Sequence, residues 1–274
     1  MLLVVAVLGL SACSDARSQA QLDLANHGYD PAALVILAPP GLAPVLQYLG
    51  WAYTQAHPTA SFVLVSDVQA GLAQLHRGRY KPKVAANAKS SLEAQPTPEM
   101  WIDLRSTQRA VLPPDIHPLG DPEIFGYDRP ALVVQPGNPD HITGLAAFAH
   151  GSGVRTGICV VHTTCGSLGR IALQHAHVTP DPATTAPSGT TLIGVVIRGH
   201  LAAALTTSTE AANASPRIAT VPIETPPHGY AQYTMLRLDD SPLGVQFVEW
   251  ISTSPVAARI MAAHGLSHTA EAAP

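Results

Sequence analysis

The sequence predicts an α/β protein built as two lobes, with mostly parallel sheets and flanking helices. In the first third of the chain, short apolar runs alternate with segments whose apolar residues recur at helical spacing. That alternation is typical of β-α repeats, which build parallel sheets. A second block of the same kind follows a proline-dense break, and two amphipathic segments close the chain. The two blocks predict the two lobes.

The first block begins with a continuous apolar run at Leu34–Leu37, as expected of a strand that is buried on both faces. A Pro-Pro-Gly turn follows, and Leu42–Tyr53 then carries apolar residues at helical spacing. The same signals predict a second strand at Ser61–Val65, a helix at Leu72–Gly78 and a third strand at Lys83–Ala86.

The second block is separated from the first by Gln95–Pro130, whose prolines predict long loops. Beyond this break, the apolar pattern predicts strands at Ala131–Val134, Thr156–Val161 and Leu192–Ile197. It predicts helices at Ile142–His150, from Cys165 and from Leu201. The segment Arg217–Ile223 is expected to lead the chain back to the first block.

Two helices are predicted at the end of the chain. Leu243, Phe247, Val248 and Ile251 share one helix face. Ser254 and Pro255 are a good N-cap and first-turn pair for a second helix, and Gly265 suits its end.

Composition excludes two broad classes. Hydrophobic residues make up 46% of the chain and charged residues only 12%, so a packed core is expected rather than disorder. The net charge is −4, so the chain lacks the excess of basic residues that is typical of a nucleic-acid-binding protein.

The N-terminus carries a predicted targeting signal. Leu10-Ser11-Ala12-Cys13 follows an apolar run and resembles the lipobox of bacterial lipoproteins, in which cleavage leaves a lipid-bearing cysteine at the new N-terminus. No Lys or Arg precedes the run, so a buried N-terminal strand or helix with a chance cysteine is the alternative. The expectation is a protein that works outside the cytosol, anchored to the cell membrane by lipid on Cys13.

The other two cysteines are Cys159 and Cys165. In an oxidising compartment two cysteines this close can pair, and so small a loop would stabilise the fold by about 2 kcal/mol. Two buried free thiols are the alternative. The spacing is not Cys-x-x-Cys and His162 alone does not complete a ligand set, so a zinc site is not expected.

Four stretches together carry a resemblance: Val35–Leu42, Leu132–Ile142 with its Gly137-Asn138-Pro139, Ile158–Gly166 with Arg170, and Phe247–Leu266. In their order and spacing the chain resembles the molybdate-binding protein family, the extracytoplasmic component of molybdate ABC importers. The resemblance implies a type II periplasmic-binding-protein-like fold that holds a tetrahedral oxyanion, such as molybdate or tungstate, between its lobes. It also implies a monomer whose partner is an ABC permease, with neither catalytic activity nor a cofactor. The Cys-x5-Cys-Gly arrangement looks like the actinobacterial branch, which implies a Cys159–Cys165 disulfide.

The resemblance also implies a domain division. The predicted parts are a signal segment at 1–12, a tether at 13–30, a first lobe at 31–125 and 222–266, a second lobe at 126–221 and a disordered tail at 267–274.

Carried over to this chain, the family's ligand set is incomplete. The residues at its positions are Gly41, Leu42, Gln69, Thr163, Thr164, Cys165, Gly166 and Arg198. Gly41 stands where the family has a serine, and Ile197 where it has a tyrosine. Asp67 is also unfavourable, because a carboxylate about 5 Å from a dianion costs about 6–7 kcal/mol at an effective dielectric near 20. Asp67 therefore points away from the ligand, or the ligand is not a dianion.

Three other functions are alternatives to oxyanion transport. A hydrolase is disfavoured because the Gly-Ser-Leu-Gly of 166–169 is not Gly-x-Ser-x-Gly. A metal-binding lipoprotein is disfavoured because the 13 histidines are scattered, with His175 and His177 the one close pair. The third is a protein that keeps the fold, has lost oxyanion binding, and acts as a surface lipoprotein with another ligand or a protein partner.

Overall fold

The computed structural model describes residues 32–65, 98–105, 108, 112, 116–224 and 229–269. Within these residues the strands form two five-stranded mixed sheets flanked by helices, which confirms the predicted α/β class and two-lobed fold. We call each sheet with its covering helices a lobe.

The first lobe is built on a sheet with the strand order β2-β1-β3-β10-β4. Its strands are β1 (Leu34–Leu37), β2 (Phe62–Val65), β3 (Met100–Leu104), β4 (Glu123–Asp128) and β10 (Ala231–Arg237). Strand β1 pairs in parallel with β2 and β3, whereas β10 runs antiparallel to β3 and β4. Helices α1 (Ala43–Ala56), α5 (Pro242–Thr253) and α6 (Pro255–Ala263) bury its apolar face, with Tyr53 and Phe247 at the centre.

The second lobe has the strand order β7-β6-β8-β5-β9. Its strands are β5 (Pro130–Val134), β6 (Thr156–Cys159), β7 (Thr184–Ala186), β8 (Ala203–Thr207) and β9 (Ala219–Val221). Its helices are α2 (Thr164–His175), α3 (Gly189–Ile197) and α4 (Ser208–Ala214). One apolar cluster forms around α3 and another beneath α2.

A single residue separates the two sheets at the first crossing of the chain. Strand β4 ends at Asp128 in the first lobe and β5 begins at Pro130 in the second, with Arg129 between them. The chain returns to the first lobe between β9 and β10. This connection places the end of β4 directly against the second lobe.

The structure confirms several predicted elements. Strands β1, β2, β5 and β6 and helices α1, α2, α5 and α6 lie where the pattern predicts them. Ser254 caps α6 by accepting the N–H groups of Val256 and Ala257, and Gly265 takes a positive φ of 77° after the helix.

Four predicted elements are wrong. The run Leu192–Ile197 is helix α3 rather than a strand, and the segment after Leu201 is strand β8 rather than a helix. The predicted helix at Ile142–His150 is reduced to a 3-10 turn at Leu145–Phe148. The predicted long loop at Gln95–Pro130 contains strands β3 and β4.

Several predictions fall outside the described residues. They are the signal segment and tether with Cys13, the helix at Leu72–Gly78, the strand at Lys83–Ala86, and Asp67 and Gln69. Near the predicted tail, Ser267 exchanges two backbone hydrogen bonds with Tyr127, at 2.8 and 3.0 Å. Over the described ranges, no helix has the length and apolar content to cross a membrane.

Candidate functional site

A cavity of about 180 Å³ lies between the two lobes. Its lining residues are Pro39, Gly41, Asp128, Thr163, Thr164, Cys165, Pro187, Ser188, Thr207, Thr209, Glu210 and Tyr233. Most of them lie at the carboxyl ends of β1, β6, β7 and β8 or at the helix N-termini that follow, which is where open α/β sheets bind ligands, whereas Asp128 and Tyr233 come from the antiparallel strands β4 and β10.

A larger groove, of about 660 Å³, lies on the first lobe alone. It runs between the start of β4 and the junction of α5 with α6, lined by residues such as Glu123, Ile124 and Ser254. It is open to solvent and receives nothing from the second lobe. We therefore take the smaller cavity as the candidate site.

Helix α2 points its N-terminus into the cavity. The N-cap Thr163 accepts a hydrogen bond from the Gly166 N–H (3.1 Å), and its hydroxyl donates to the Val160 carbonyl (2.8 Å). Thr163 thus satisfies one of the N–H groups that a helix leaves unpaired in its first turn. Among the described hydrogen bonds, none uses the N–H of Thr164 or Cys165, so both remain available to a ligand.

Two features hold this helix terminus in place. A disulfide joins Cys159, at the end of β6, to Cys165, in the first turn of α2, with 5.7 Å between their Cα atoms. Gly166 lets the helix approach the strand closely, because a Cβ there would lie 2.0 Å from the Val160 carbonyl oxygen. The available N–H groups therefore sit on a rigid element.

Asp128 is a buried carboxyl group in the cavity wall, 1% exposed. Its Oδ1 accepts hydrogen bonds from the N–H of Arg129 (2.9 Å), the hydroxyl of Ser208 (2.6 Å) and the N–H of Thr209 (3.1 Å). Burial raises the pKa of Asp128 above its ordinary value, and the bonds from Ser208 and Thr209 oppose that rise. Asp128, from the first lobe, thus caps helix α4 of the second.

Glu210 is a second carboxyl group in the wall, and the protein itself supplies its hydrogen-bond donors. It completes a capping box with Thr207, whose N–H it accepts at 3.3 Å. It also accepts the hydroxyl of Thr206 (2.6 Å) and, across to helix α3, the N–H of Thr190 (3.2 Å). Glu210 therefore neutralises the N-termini of both α3 and α4.

Two hydroxyl groups complete the wall. Thr209 is 1% exposed, and its side chain lies within hydrogen-bonding reach of the Asp128 carboxyl group. Tyr233 comes from β10 of the first lobe, and burial together with the charge of Asp128 raises its pKa well above the ordinary value. The Thr164 side chain lies within hydrogen-bonding reach of the Tyr233 hydroxyl. The site therefore combines hydroxyls, free N–H groups and carboxylates.

The structure brings together only part of the residue set predicted from sequence. Gly41, Thr163, Thr164 and Cys165 line the cavity. The Gly166 N–H is engaged by Thr163, as described above.

Two other predicted site residues lie elsewhere, and a third is not described. The Leu42 side chain is buried in the core of the first lobe, and its N–H donates to the Pro39 carbonyl (3.0 Å). Arg198 is exposed at the C-terminal end of α3, about 15 Å along the helix from the cavity end at Ser188. Gln69 is outside the described residues.

Sequence reasoning missed eight lining residues, of which two are prolines, Pro39 and Pro187, and six are polar: Asp128, Ser188, Thr207, Thr209, Glu210 and Tyr233. The Thr207-x-x-Glu210 spacing is a capping-box signature and could have marked the start of α4. No local pattern marks Asp128 or Tyr233, because both reach the cavity through the pairing of β4 with β10.

The described residues contain no group of three or more His, Cys, Asp and Glu that could hold a metal ion.

The chain belongs to the bacterial extracellular solute-binding protein family, whose model matches residues 34–267. Such proteins carry a small ligand outside the cytoplasm to an ABC permease and in general are not enzymes. No protein of curated function matches the sequence.

Solved structures with a similar fold bind several ligands. One is the substrate-binding domain of a protein described as a molybdenum ABC transporter from Clostridium difficile, with a TM-score of 0.65, 12% identity, and 86% and 99% of the two chains covered. Another is the periplasmic molybdate-binding protein of Azotobacter vinelandii, with a TM-score of 0.55 and 14% identity over 86% of this chain and 99% of that one. A third, from Clostridium perfringens, is described as a phosphate ABC transporter substrate-binding protein with bound phosphate. Its TM-score is 0.54, and its identity is 12% over 86% of this chain and 98% of that one. At these identities the likeness establishes the fold alone.

Proposed function

We propose that this protein is the solute-binding lipoprotein of an ABC importer and holds a tetrahedral oxyanion, of the molybdate or a related type, in the cavity between its lobes. The observation that carries the proposal is the N-terminus of α2. Its Thr164 and Cys165 N–H groups are free and face a cavity to which both lobes contribute. The partial positive charge of a helix N-terminus favours an anion at this position.

The hydroxyl groups around this terminus support the proposal. Thr164, from the second lobe, and Tyr233, from the first, lie on the cavity wall, so an oxyanion at the α2 terminus would receive donors from both lobes. Binding of this kind needs no cation and favours closure of the lobes around the ligand, which is the form a permease would recognise.

The remaining parts of the proposal rest on sequence. Lipid on Cys13 would tether the protein to the cell membrane, and we expect the mature chain to act as a monomer. The lobe division predicted from sequence, at 31–125 with 222–266 and at 126–221, stays part of the proposal, with its first crossing moved to Arg129 because β4 ends at Asp128 in the first sheet. Gln69 and Arg198 stay candidates for the ligand set on sequence grounds alone.

Isothermal titration of the mature protein with molybdate, tungstate, sulfate and phosphate tests the function. We expect at least one of the four oxyanions to bind with micromolar or tighter affinity. Failure of all four to bind a folded protein would overturn the proposal.

A substitution at Thr164 tests the site. Thr164→Pro removes one N–H at the first helical position, where proline is tolerated and Thr163 is already extended, with φ −105° and ψ 161°. We expect anion affinity to fall at least ~10-fold, since a charge-assisted hydrogen bond is lost. Thr164→Ala keeps the N–H and loses only the hydroxyl, so it serves as the matched control. Equal affinity in the proline and alanine variants would contradict the role of the N–H.

One observation favours the alternative of a retained fold with a different ligand. Asp128 and Glu210 place two carboxyl groups in the cavity wall, and carboxylates oppose anion binding. The four-anion titration decides between the two functions, because this alternative predicts that none of the four binds.

A further inference from the structure

We infer that a relay of hydrogen bonds from His264 through Asn213 to Gly41 acts as a latch between the lobes and slows the release of a bound solute. Asn213 and His264 would act on the lobes rather than on the ligand. This inference rests on the proposed function, because it needs a solute that binds in the cavity.

The Asn213 side chain joins the two lobes beside the cavity. It belongs to helix α4 of the second lobe, and its Nδ2 donates a hydrogen bond to the Gly41 carbonyl oxygen at 3.3 Å. Gly41 lies in the 3-10 turn Pro40–Leu42 of the first lobe and lines the cavity, whereas Asn213 lies outside the lining. The bond therefore spans the lobes next to the ligand position without taking part in the ligand's own contacts.

His264 fixes the orientation of the Asn213 amide. Its Nδ1 lies 2.9 Å from Oδ1 of Asn213. Because the Gly41 carbonyl only accepts hydrogen bonds, the amide must present Nδ2 to Gly41 and Oδ1 to His264, so Nδ1 of His264 must carry a proton. His264 follows helix α6 of the first lobe, and its ring centroid lies 4.9 Å from that of Tyr48 on α1. Two elements of the first lobe thus hold the end of α4.

The start of α4 is held at the crossing between the lobes. The Ser208 hydroxyl lies 2.6 Å from Oδ1 of Asp128 and 2.7 Å from the Gly265 carbonyl oxygen, and the Ser208 N–H donates to the Arg129 carbonyl at 2.8 Å. Asn213 lies about 7.5 Å further along the helix axis. When the lobes separate, we therefore expect the contacts at Ser208 to persist and the bond at Asn213 to break.

The kinetic consequence follows from this position. A bond that exists only in the closed arrangement favours that arrangement by its own free energy. A solute enclosed between two lobes leaves after they open, so the relay must break before release. The net strength of a neutral hydrogen bond corresponds to a change of about 2- to 10-fold in rate. Because Asn213 and His264 lie outside the cavity lining, the factor should be the same for every anion that binds.

Stopped-flow tryptophan fluorescence of the intact mature protein tests the inference through the dissociation rates of molybdate, tungstate, sulfate and phosphate. For each anion that the wild type binds, we expect Asn213→Ala to raise the dissociation rate at least ~3-fold, by one common factor. Gln174→Ala is the matched control and should leave the rate unchanged. The Gln174 amide also accepts a hydrogen bond, from Arg170 at 3.1 Å, but this bond stays within helix α2 of the second lobe.

A second pair of variants separates the relay from a general loss of packing. His264→Ala removes the donor that orients the Asn213 amide, so the rate should rise. His264→Asn restores an N–H donor near the position of Nδ1 and should keep the rate within ~2-fold of the wild-type value. This pair remains a test even where Asn213→Ala folds poorly.

Two kinds of failure can be told apart. An unchanged rate in Asn213→Ala, a factor that differs between anions, or equal increases in both His264 variants overturns this inference and leaves the proposed function standing. Binding of none of the four anions to the folded wild type overturns the proposed function and this inference with it.

Discussion

At the scale of single residues, Gly166 sets how closely helix α2 approaches strand β6. A Cβ at this position would meet the Val160 carbonyl oxygen at 2.0 Å and the Cys159 carbonyl oxygen at 3.0 Å. Both are backbone atoms at the end of the strand, and they cannot move aside as a flexible side chain would. Gly169, one turn later in the same helix, faces only Leu205 side-chain atoms at 3.6 Å or more.

The two glycines give opposite predictions. Gly166→Ala should lower the free energy of unfolding by about 2–3 kcal/mol, because the helix must shift away from the strand. Gly169→Ala should raise it by up to about 1 kcal/mol, since alanine is the better helix former and meets ordinary contacts. Urea unfolding of both variants checks this. The packing argument would be contradicted if Gly166→Ala lowered the free energy of unfolding less than Gly169→Ala did.

Asp128 predicts a pH dependence of stability. Burial raises its pKa above the ordinary 3.8, so the folded protein binds this proton more tightly than the unfolded chain does. The stability contributed by protonation is therefore lost as pH rises from about 3.8 through the folded pKa. In Asp128→Asn nothing titrates at this position, so the wild-type stability minus the variant stability should fall with rising pH and then level off.

The measurement is a set of urea unfolding curves for both proteins across that pH range. Burial also raises the pKa values of Asp103 and Glu99, and taking the difference between wild type and variant cancels their contributions. A difference that increases with pH would show that the hydrogen bonds to Asp128 outweigh its burial.

At the scale of elements, three helices begin at the cavity and each has its own side-chain cap. Thr163 caps α2, Ser188 caps α3 by accepting the Thr191 N–H, and Thr207 caps α4. Glu210 links the last two caps, because its carboxylate reaches both α3 and α4. These two helix termini are thus satisfied before any ligand arrives.

The cross-link predicts a large effect for one acidic residue. Glu210→Ala should lower the free energy of unfolding by about 2 kcal/mol, because two helix termini lose a cap and the buried Thr206 hydroxyl loses its acceptor. Glu249→Ala, on the exposed side of α5, is the control and should change stability by no more than about 0.5 kcal/mol. Thermal or urea unfolding measures both, and equal effects would refute the cross-link.

Elements with a clear period could be predicted from sequence, whereas short apolar runs could not. Leu192–Ile197 is rich in β-branched residues, and propensity favours a strand. It folds as a helix because Ser188 caps it and Leu192, Ile193 and Val196 pack on the second sheet. The strand of this region is instead β8, Ala203–Thr207, whose five residues are all buried.

The same reasoning explains the incomplete site. Thr163, Thr164 and Cys165 are close in sequence and precede a predicted helix, so local pattern could place them together. Asp128 and Tyr233 are 105 positions apart in sequence, and they meet only because β10 pairs antiparallel with β4. Long-range pairing of this kind has no signature in a single sequence.

At the scale of the whole molecule, a short relay of hydrogen bonds joins the lobes. His264, after helix α6, lies with Nδ1 2.9 Å from Oδ1 of Asn213, on helix α4 of the second lobe. Asn213 in turn donates from Nδ2 to the Gly41 carbonyl at 3.3 Å, at the edge of the cavity. The relay therefore connects the second lobe to the first at two points.

A double-mutant cycle tests the relay. Asn213→Ala and His264→Ala should each lower the free energy of unfolding by about 1 kcal/mol, and their effects should be non-additive by at least about 0.5 kcal/mol because they share one network. Asn213→Ala combined with Thr253→Ala, on distant α5, should be additive. Additivity in the first pair, measured by urea unfolding, would show that the two side chains act independently.

The one-residue crossing at Arg129 puts the Asp128 carboxyl group of the cavity wall next to a connection between the lobes that would act as a pivot when they close. A rotation about a pivot displaces nearby atoms little and distant atoms most. Asp128 is therefore a poor place for a reporter group, whereas Val161, 56% exposed on the loop that precedes α2, is a better one. An environment-sensitive dye on a Val161→Cys variant that also lacks Cys13 would turn the protein into an optical sensor for its own solute.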